Sequence, residues 1–227
     1  MESTLTPEQA KAFYDRFGAK QDRQGFYENP ARRDLIAQAD FETAAAVFEF
    51  GCGTGDFAAR LLAEHLPPRC AYTAVDISDT MVRLARARLA PWRDRARADR
   101  SSGSTTLEAA DGAFDRFVST YVLDLLSDED IRGLLAEAHR ILAPGGRLCL
   151  AGLTHGAGPI ASLVSGLWQA FFALRPALLG GCRPIALCGY LAPDRWRIEY
   201  RNVRTAFGIS SEVVVAARLD RKAGRRE

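Results

Sequence analysis

Residues 46 to 56 run Ala46-Val47-Phe48-Glu49-Phe50-Gly51-Cys52-Gly53-Thr54-Gly55-Asp56, and this stretch decides the fold. Val47, Phe48 and Phe50 predict a short buried strand that three glycines at alternate positions bring to an end. A helical pattern follows at once, with Phe57, Leu61 and Leu62 on one face. A strand, a glycine turn and a helix make a nucleotide-type binding loop, because glycine lets backbone approach a ligand where a Cβ would collide. The free N–H groups at the helix start favour an anionic ligand group. The spacing is G-x-G-x-G, and Asp56 stands where the dinucleotide fingerprint places its third glycine. An acid there repels a pyrophosphate, and Glu49 adds another at the strand end. The loop therefore suits an adenosine-like ligand without phosphates and with some positive charge. Taken alone, the glycines are also readable as a tight strand-to-helix turn.

With 227 residues, 48% hydrophobic and 26% charged, the chain is expected to form one ordinary globular domain with a substantial core. A net charge of +2 gives no general pull toward nucleic acid. Seven arginines fall in the stretch Arg83 to Arg100, but Trp92 alone among them makes no platform to stack bases, so a solvated face is the expected reading. The five cysteines form no C-x-x-C pair, which argues against a zinc site and a complete disulfide framework and for reduced thiols in a cytoplasmic protein. Nothing at the N-terminus resembles a signal segment, and no apolar run reaches the about 18 residues of a spanning helix.

Outward from the loop, Thr6-Pro7-Glu8-Gln9 is a helix start with a Thr cap, and Phe13, Tyr14 and Phe17 follow at helical spacing. A second start is expected at Asn29-Pro30. These helices, within residues 1–45, are expected to close over the ligand loop as a lid. In the core, 46–153, strands are predicted at 71–75, near 95–98, at 114–120 and at 147–153. Helices lie between them, one from Ser127 or Asp128 to a stop at Pro144-Gly145-Gly146. Strands alternating with helices predict an α/β fold, a three-layer doubly wound parallel sheet. Residues 196–206 and 212–219 read as an antiparallel terminal pair joined by the turn Phe207 to Ser211, with 220–227 a charged tail.

Asp76 lies 21 residues beyond Gly55, where acids of glycine-loop folds accept hydrogen bonds from ribose hydroxyls. A simple helix-capping role is the alternative. Asp99 closes the third strand on the same edge, in position to accept from an adenine amino group. Three consecutive strands thus bring Glu49, Asp76 and Asp99 to the carboxyl edge where open α/β sheets bind ligands.

The ordered set Phe-Glu-Phe-Gly-Cys-Gly-Thr-Gly, Val-Asp-Ile-Ser with Met81 shortly after, Phe-Asp-Arg-Phe-Val-Ser-Thr and Arg-Ile-Leu-Ala-Pro-Gly-Gly-Arg-Leu resembles the class I S-adenosylmethionine-dependent methyltransferases over residues 46 to 153. The resemblance implies a seven-stranded sheet, mostly parallel with an antiparallel C-terminal pair, and S-adenosyl-L-methionine as cofactor. It implies that Gly51, Cys52, Gly53 and Gly55 pass the methionine portion, that Asp76 meets the ribose, and that Asp99 and the following Arg100 lie by the adenine. Ile77 would pack on the adenine, Met81 would belong to the cofactor site, Ser119 or Thr120 would line the loop after the fourth strand, and Tyr14 would cover the cofactor. The third strand departs from the family's apolar pattern.

Methyl transfer from a sulfonium needs alignment more than a nucleophile, so the absence of a triad or metal cluster in the sequence fits. Where the acceptor must lose a proton, Tyr121 and His155, just past strand ends, are the candidate bases. Each is also readable as an ordinary packed or loop residue. Asp124, Asp128 and Asp130 do not cluster as metal ligands. The stretch 154–195 is expected to be a helical insertion. Its apolar residues Leu163, Val164, Leu167, Trp168, Phe171, Phe172, Leu174, Leu178 and Leu179, with Arg175 among them, would roof a pocket for a small-molecule or lipid-like acceptor. A plain core helix pair and a peripheral membrane contact are the other readings. Beside methyl transfer stand a non-catalytic cofactor-binding protein on the same fold and, less favoured, an RNA methyltransferase. A nicotinamide-dependent oxidoreductase is disfavoured by Asp56.

Overall fold

The computed structural model describes residues 4–156 and 182–220. Among them one sheet is built from β1 (Ala46–Phe50), β2 (Ala71–Asp76), β3 (Ala96–Arg100), β4 (Phe114–Thr120), β5 (Leu142–Leu153), β6 (Trp196–Ala206) and β7 (Ile209–Arg218), in the order β3-β2-β1-β4-β5-β7-β6. β1 to β5 pair in parallel, and β7 enters antiparallel between β5 and β6. The strand order turns back beside β1, which pairs with both β2 and β4. That switch point places the glycine loop in the crevice at the carboxyl ends of the strands.

The layers follow from the burial of both sheet faces. Val47, Tyr72, Val118, Val213 and Val215 join a cluster with Leu35, Leu61 and Ala85, from α2 (Gly25–Gln38), α3 (Asp56–Glu64) and α4 (Asp79–Leu89). The alternate residues Phe48, Phe117, Leu148 and Val214 join Ile131 and Leu134 of α5 (Asp128–Ile141) on the other face. Strands buried on both faces are near-continuous apolar runs for this reason. The expected three-layer, seven-stranded sheet with its antiparallel C-terminal pair is the observed architecture.

Local starts and stops differ in places. α1 (Pro7–Phe17) begins as expected, with a reciprocal capping box between Thr6 and Gln9. α2 starts at Gly25 rather than Asn29, and Pro30 lies inside it, because the 3-10 turn Gly18–Gln24 feeds straight into the helix. Pairing of β5 begins at Leu142, opposite Phe114, so Pro144-Gly145-Gly146 forms a shift in the strand rather than a gap before it. β3 is displaced by a residue to Ala96–Arg100 and lies at the sheet edge, as expected. The β6–β7 turn is two residues, Phe207 and Gly208, both at positive φ (53° and 79°), which is the twist a tight hairpin favours. The apolar stretch from Leu163 to Leu179 lies outside the described residues. Among those described, no helix is long and apolar enough to cross a membrane.

Candidate cofactor site

The end of β2 holds the glycine loop in place. Gly51 and Cys52 donate their N–H groups to the Val75 carbonyl (2.8 and 3.0 Å), and Gly53 donates to Asp76 Oδ2 (2.8 Å). Asp76 Oδ1 accepts from Ser78 N (2.9 Å), so one carboxylate joins the loop to the start of α4. Glycine is required at the first position: at φ 77° a Cβ on Gly51 would stand 2.3 Å from Val122 Cγ2 in the turn after β4. At Gly53 it would meet the Gln21 amide at 2.7 Å. Gly55 caps α3.

A cavity opens beside this loop, and Tyr14, Gly51, Asp76, Ile77, Thr120 and Tyr121 line it. The other expected residues stand differently. Ser119 is buried beneath, its hydroxyl donating to the Phe50 carbonyl (3.0 Å), and Cys52 and Met81 are buried. Glu49, 1% exposed, accepts a hydrogen bond from the Tyr72 hydroxyl (3.0 Å); burial pushes its carboxyl up to about 7 against the pull of that bond. Burial also raises Asp76 above the ordinary carboxylate range, although the N–H groups of Ser78 and Gly53 oppose the shift.

Asp99 and Arg100 do not line the cavity. Asp99 pairs with Arg86 (3.1 Å) and Arg97 (3.3 Å), and Arg100 with Asp79 (3.2 Å), all well exposed. Their edge position on a short polar strand turns these side chains to the solvated arginine face. Tyr121 meets the cavity, but its phenol is committed elsewhere. The hydroxyl donates to Ser211 Oγ (2.8 Å), the ring packs on Tyr27 at 5.9 Å, and burial drives its pKa well above the ordinary phenol value. In this arrangement the phenol packs against Tyr27 and anchors to Ser211. His155 follows β5 and is exposed.

The N-terminal segment closes over the loop through charges that hydrophobic periodicity does not reveal. Asp15 of α1 accepts from Ser78 Oγ (2.7 Å) and Thr80 N (3.1 Å) at the N-terminus of α4, and Lys11 bridges Asp15 and Asp79 at 2.7 Å each. A carboxylate at a helix N-terminus is stabilised by its free N–H groups. Partial burial raises the Asp15 pKa, but the bonds from Lys11, Ser78 and Thr80 prevail and hold it at about 2. Asp22 makes a second clasp, accepting from Thr54 Oγ (2.6 Å) in the glycine loop and from Arg88 (2.7 Å). Asp15 accepts from Ser78, Thr80 and Lys11, and a hydrogen bond to a charged group contributes about 1.5–3 kcal/mol, so Asp15→Ala is expected to speed cofactor release at least about tenfold. Stopped-flow displacement measures it, and an unchanged release rate would show that α1 does not hold the cofactor in.

Residues 47–146 match a family model for a methyltransferase domain. With the sheet order and the loop described above, this match over 100 of the 227 residues makes the chain similar to the class I S-adenosylmethionine-dependent methyltransferases. Among curated relatives, the ubiquinone/menaquinone biosynthesis C-methyltransferase of Desulfotalea psychrophila is 29% identical over 153 residues, 66% of this chain and 56% of that protein. The protein of the same name from Methylobacterium nodulans is 40% identical over 100 residues, 43% of this chain and 38% of that one. The chain thus spans only about half, or less, of these relatives' lengths. Among solved structures, geranyl diphosphate C-methyltransferase from Streptomyces coelicolor A3(2) superposes with a TM-score of 0.63 at 13% identity, covering 85% of this chain and 79% of that one. A methyltransferase from Methanosarcina mazei gives 0.61 at 21%, covering 82% and 97%. At these identities the two structures share the fold.

Proposed function

We propose that the protein transfers a methyl group from S-adenosylmethionine to a small, apolar or lipid-like acceptor by in-line displacement. The observation that carries this is the cavity between the glycine loop and the lid, where the Asp76 carboxylate, Gly51 and the Tyr14 ring meet. The residues suit that cofactor: the Gly51–Gly55 turn admits its methionine portion without a Cβ in the way, Asp76 accepts from the ribose, and Ile77 offers the adenine an apolar surface. Glu49 beneath the loop adds negative potential for a ligand bearing ammonium and sulfonium charges. Cys52, Met81, Ser119 and Thr120 support this wall. When bound, the cofactor supplies the activated methyl group; the chain supplies alignment and exclusion of water. His155, after β5, remains a candidate base.

The curated relatives named above carry quinone biosynthesis in their names, and the structural relative carries geranyl diphosphate. Together with the apolar sequence between Leu163 and Leu179, this favours a prenylated or comparably apolar acceptor. Calorimetry should show S-adenosylmethionine binding and no NADH binding. Mass spectrometry should then find one added methyl on an acceptor such as a short-chain prenylated hydroquinone. Binding of NADH alone would overturn the proposal, and tight S-adenosylmethionine binding with no acceptor methylated would favour a non-catalytic cofactor-binding protein.

A further inference from the structure

The edge of the sheet that carries the glycine loop also presents two aromatic side chains to solvent. Phe207 is 80% exposed and Phe26, near the start of α2, is 54% exposed, with their ring centroids 5.3 Å apart. The β6–β7 turn lies on that edge because Ser211 of β7 pairs with Leu153, the last residue of β5, and β5 runs parallel to β4. Phe207 is doubly out of place. It takes the first turn position at φ 53°, where left-handed backbone favours Asn, Asp or Gly and strains a bulky side chain. Burial does not offset that strain, since the ring stands in water. A residue kept where the local rules exclude it points to a task.

The helix beside the pair adds charge of one sign. The backbone is helical without a break from the 3-10 turn Gly18–Gln24 into α2, so Lys20, Arg23 and Phe26, three residues apart, share a face. Arg33, seven residues beyond Phe26, continues it. All three cations are exposed, and none has an ion pair among the described residues. The acids of the same run are already neutralised: Asp22 accepts from Thr54 and Arg88, Glu28 is paired with Arg32, and Asp34 with Arg204. An aromatic tip flanked by unpaired cations is complementary to the boundary between anionic headgroups and acyl chains of a bilayer.

Stacked rings join this tip to the cavity. Phe26 packs on Tyr27 at 5.1 Å and Tyr27 on Tyr121 at 5.9 Å, and Tyr121 lines the cavity. Tyr27 and Tyr121 are buried, so the row runs from solvent to the cavity wall.

We propose that Phe207 and Phe26 insert into the surface of an anionic membrane, held there by Lys20, Arg23 and Arg33, and so set the cavity beside the bilayer that dissolves its acceptor. This docking face uses none of the apolar sequence between Leu163 and Leu179. Its purpose, access to a lipid-dissolved acceptor, rests on the methyl-transfer reading above; its contacts do not.

The test uses the full chain with vesicles of phosphatidylcholine, alone or mixed with phosphatidylglycerol. Wild type should cosediment with the mixed vesicles in dilute salt, at least about tenfold better than with phosphatidylcholine alone, and added salt should release it. Phe207→Asn suits the turn and so keeps the fold; loss of one inserted ring should lower binding to mixed vesicles at least about tenfold. Lys20→Gln, Arg23→Gln and Arg33→Gln together should lower it about 100-fold, since each cation near an anionic surface contributes roughly fivefold. Phe207→Asn should methylate a water-soluble short-chain hydroquinone within about twofold of wild type, and a vesicle-dissolved long-chain one more slowly in proportion to its lost binding. Wild type that ignores the mixed vesicles overturns the proposal, as does Phe207→Asn that binds them equally well. So does a wild-type dimer that Phe207→Asn converts to monomer in sedimentation velocity, which would make the tip an interface between copies. Vesicle binding is read without turnover. If it follows the expected pattern while no acceptor gains a methyl, docking stands and the methyl-transfer reading falls.

Discussion

Asp76→Ala is expected to weaken S-adenosylmethionine binding by at least about 100-fold while the protein still unfolds cooperatively. The carboxylate is proposed to accept from two ribose hydroxyls, and hydrogen bonds to a charged group contribute about 1.5–3 kcal/mol each, so losing both exceeds that factor. It also accepts from Gly53 N and Ser78 N, so its removal loosens the glycine loop in the same stroke. Asp76→Asn separates the two effects. The amide oxygen still accepts one of those N–H groups, while the amide nitrogen faces the other as a second donor. Calorimetry on both variants, with urea unfolding as the control, decides the matter. Unchanged affinity in Asp76→Ala would remove the ribose contact and leave the carboxylate as a purely structural tie.

The glycine loop, the alternation of strands and helices and the acid ending β2 are legible in the sequence because each depends on local chemistry. Alternating glycines permit close approach, apolar runs of four to seven residues mark strands buried on both faces, and Asp76 directly follows such a run. The surroundings of Asp99 are less legible. Its strand position is right, but which neighbour a charged side chain selects depends on Arg86 and Arg97, two residues whose direction no periodicity records. The start of α2 was hidden for a similar reason, because Pro30 looks like a first-turn residue yet Gly25 to Asn29 are already helical. The Asp15 and Asp22 clasps join residues 32 to 66 positions apart, and no local pattern announces a bond of that range. Asp124 did carry a signal. An acid inside Val122-Leu123-Asp124-Leu125-Leu126 is out of place in an apolar run, and the question worth asking of it was burial rather than metal ligation.

The second large effect is on stability as a function of pH. Glu49 and Asp124 are both fully buried carboxyls raised from ordinary values of 4.5 and 3.8 to about 7, in each case chiefly by burial. A raised folded-state pKa means the native protein holds these protons more tightly than the unfolded chain. Their contribution is therefore complete below about pH 4 and is lost as pH rises through about 7. At about 1.4 kcal/mol per pKa unit, Glu49 is worth up to about 3.5 kcal/mol and Asp124 up to about 4.5 kcal/mol, a large share of the about 5–15 kcal/mol that stabilises a domain. Asp15, held at about 2, has the opposite sign, but its contribution is lost only as pH falls below about 4. Urea unfolding should accordingly give a free energy several kcal/mol lower at pH 8 than at pH 5. Glu49→Gln, which keeps an acceptor for the Tyr72 hydroxyl, should remove roughly half of that slope, and Asp124→Asn most of the rest. A wild-type profile flat between pH 5 and 8 would show that water or local rearrangement relieves both acids. Saturating S-adenosylmethionine should lessen the slope, since a cation in the cavity above Glu49 favours the ionised form that burial penalises.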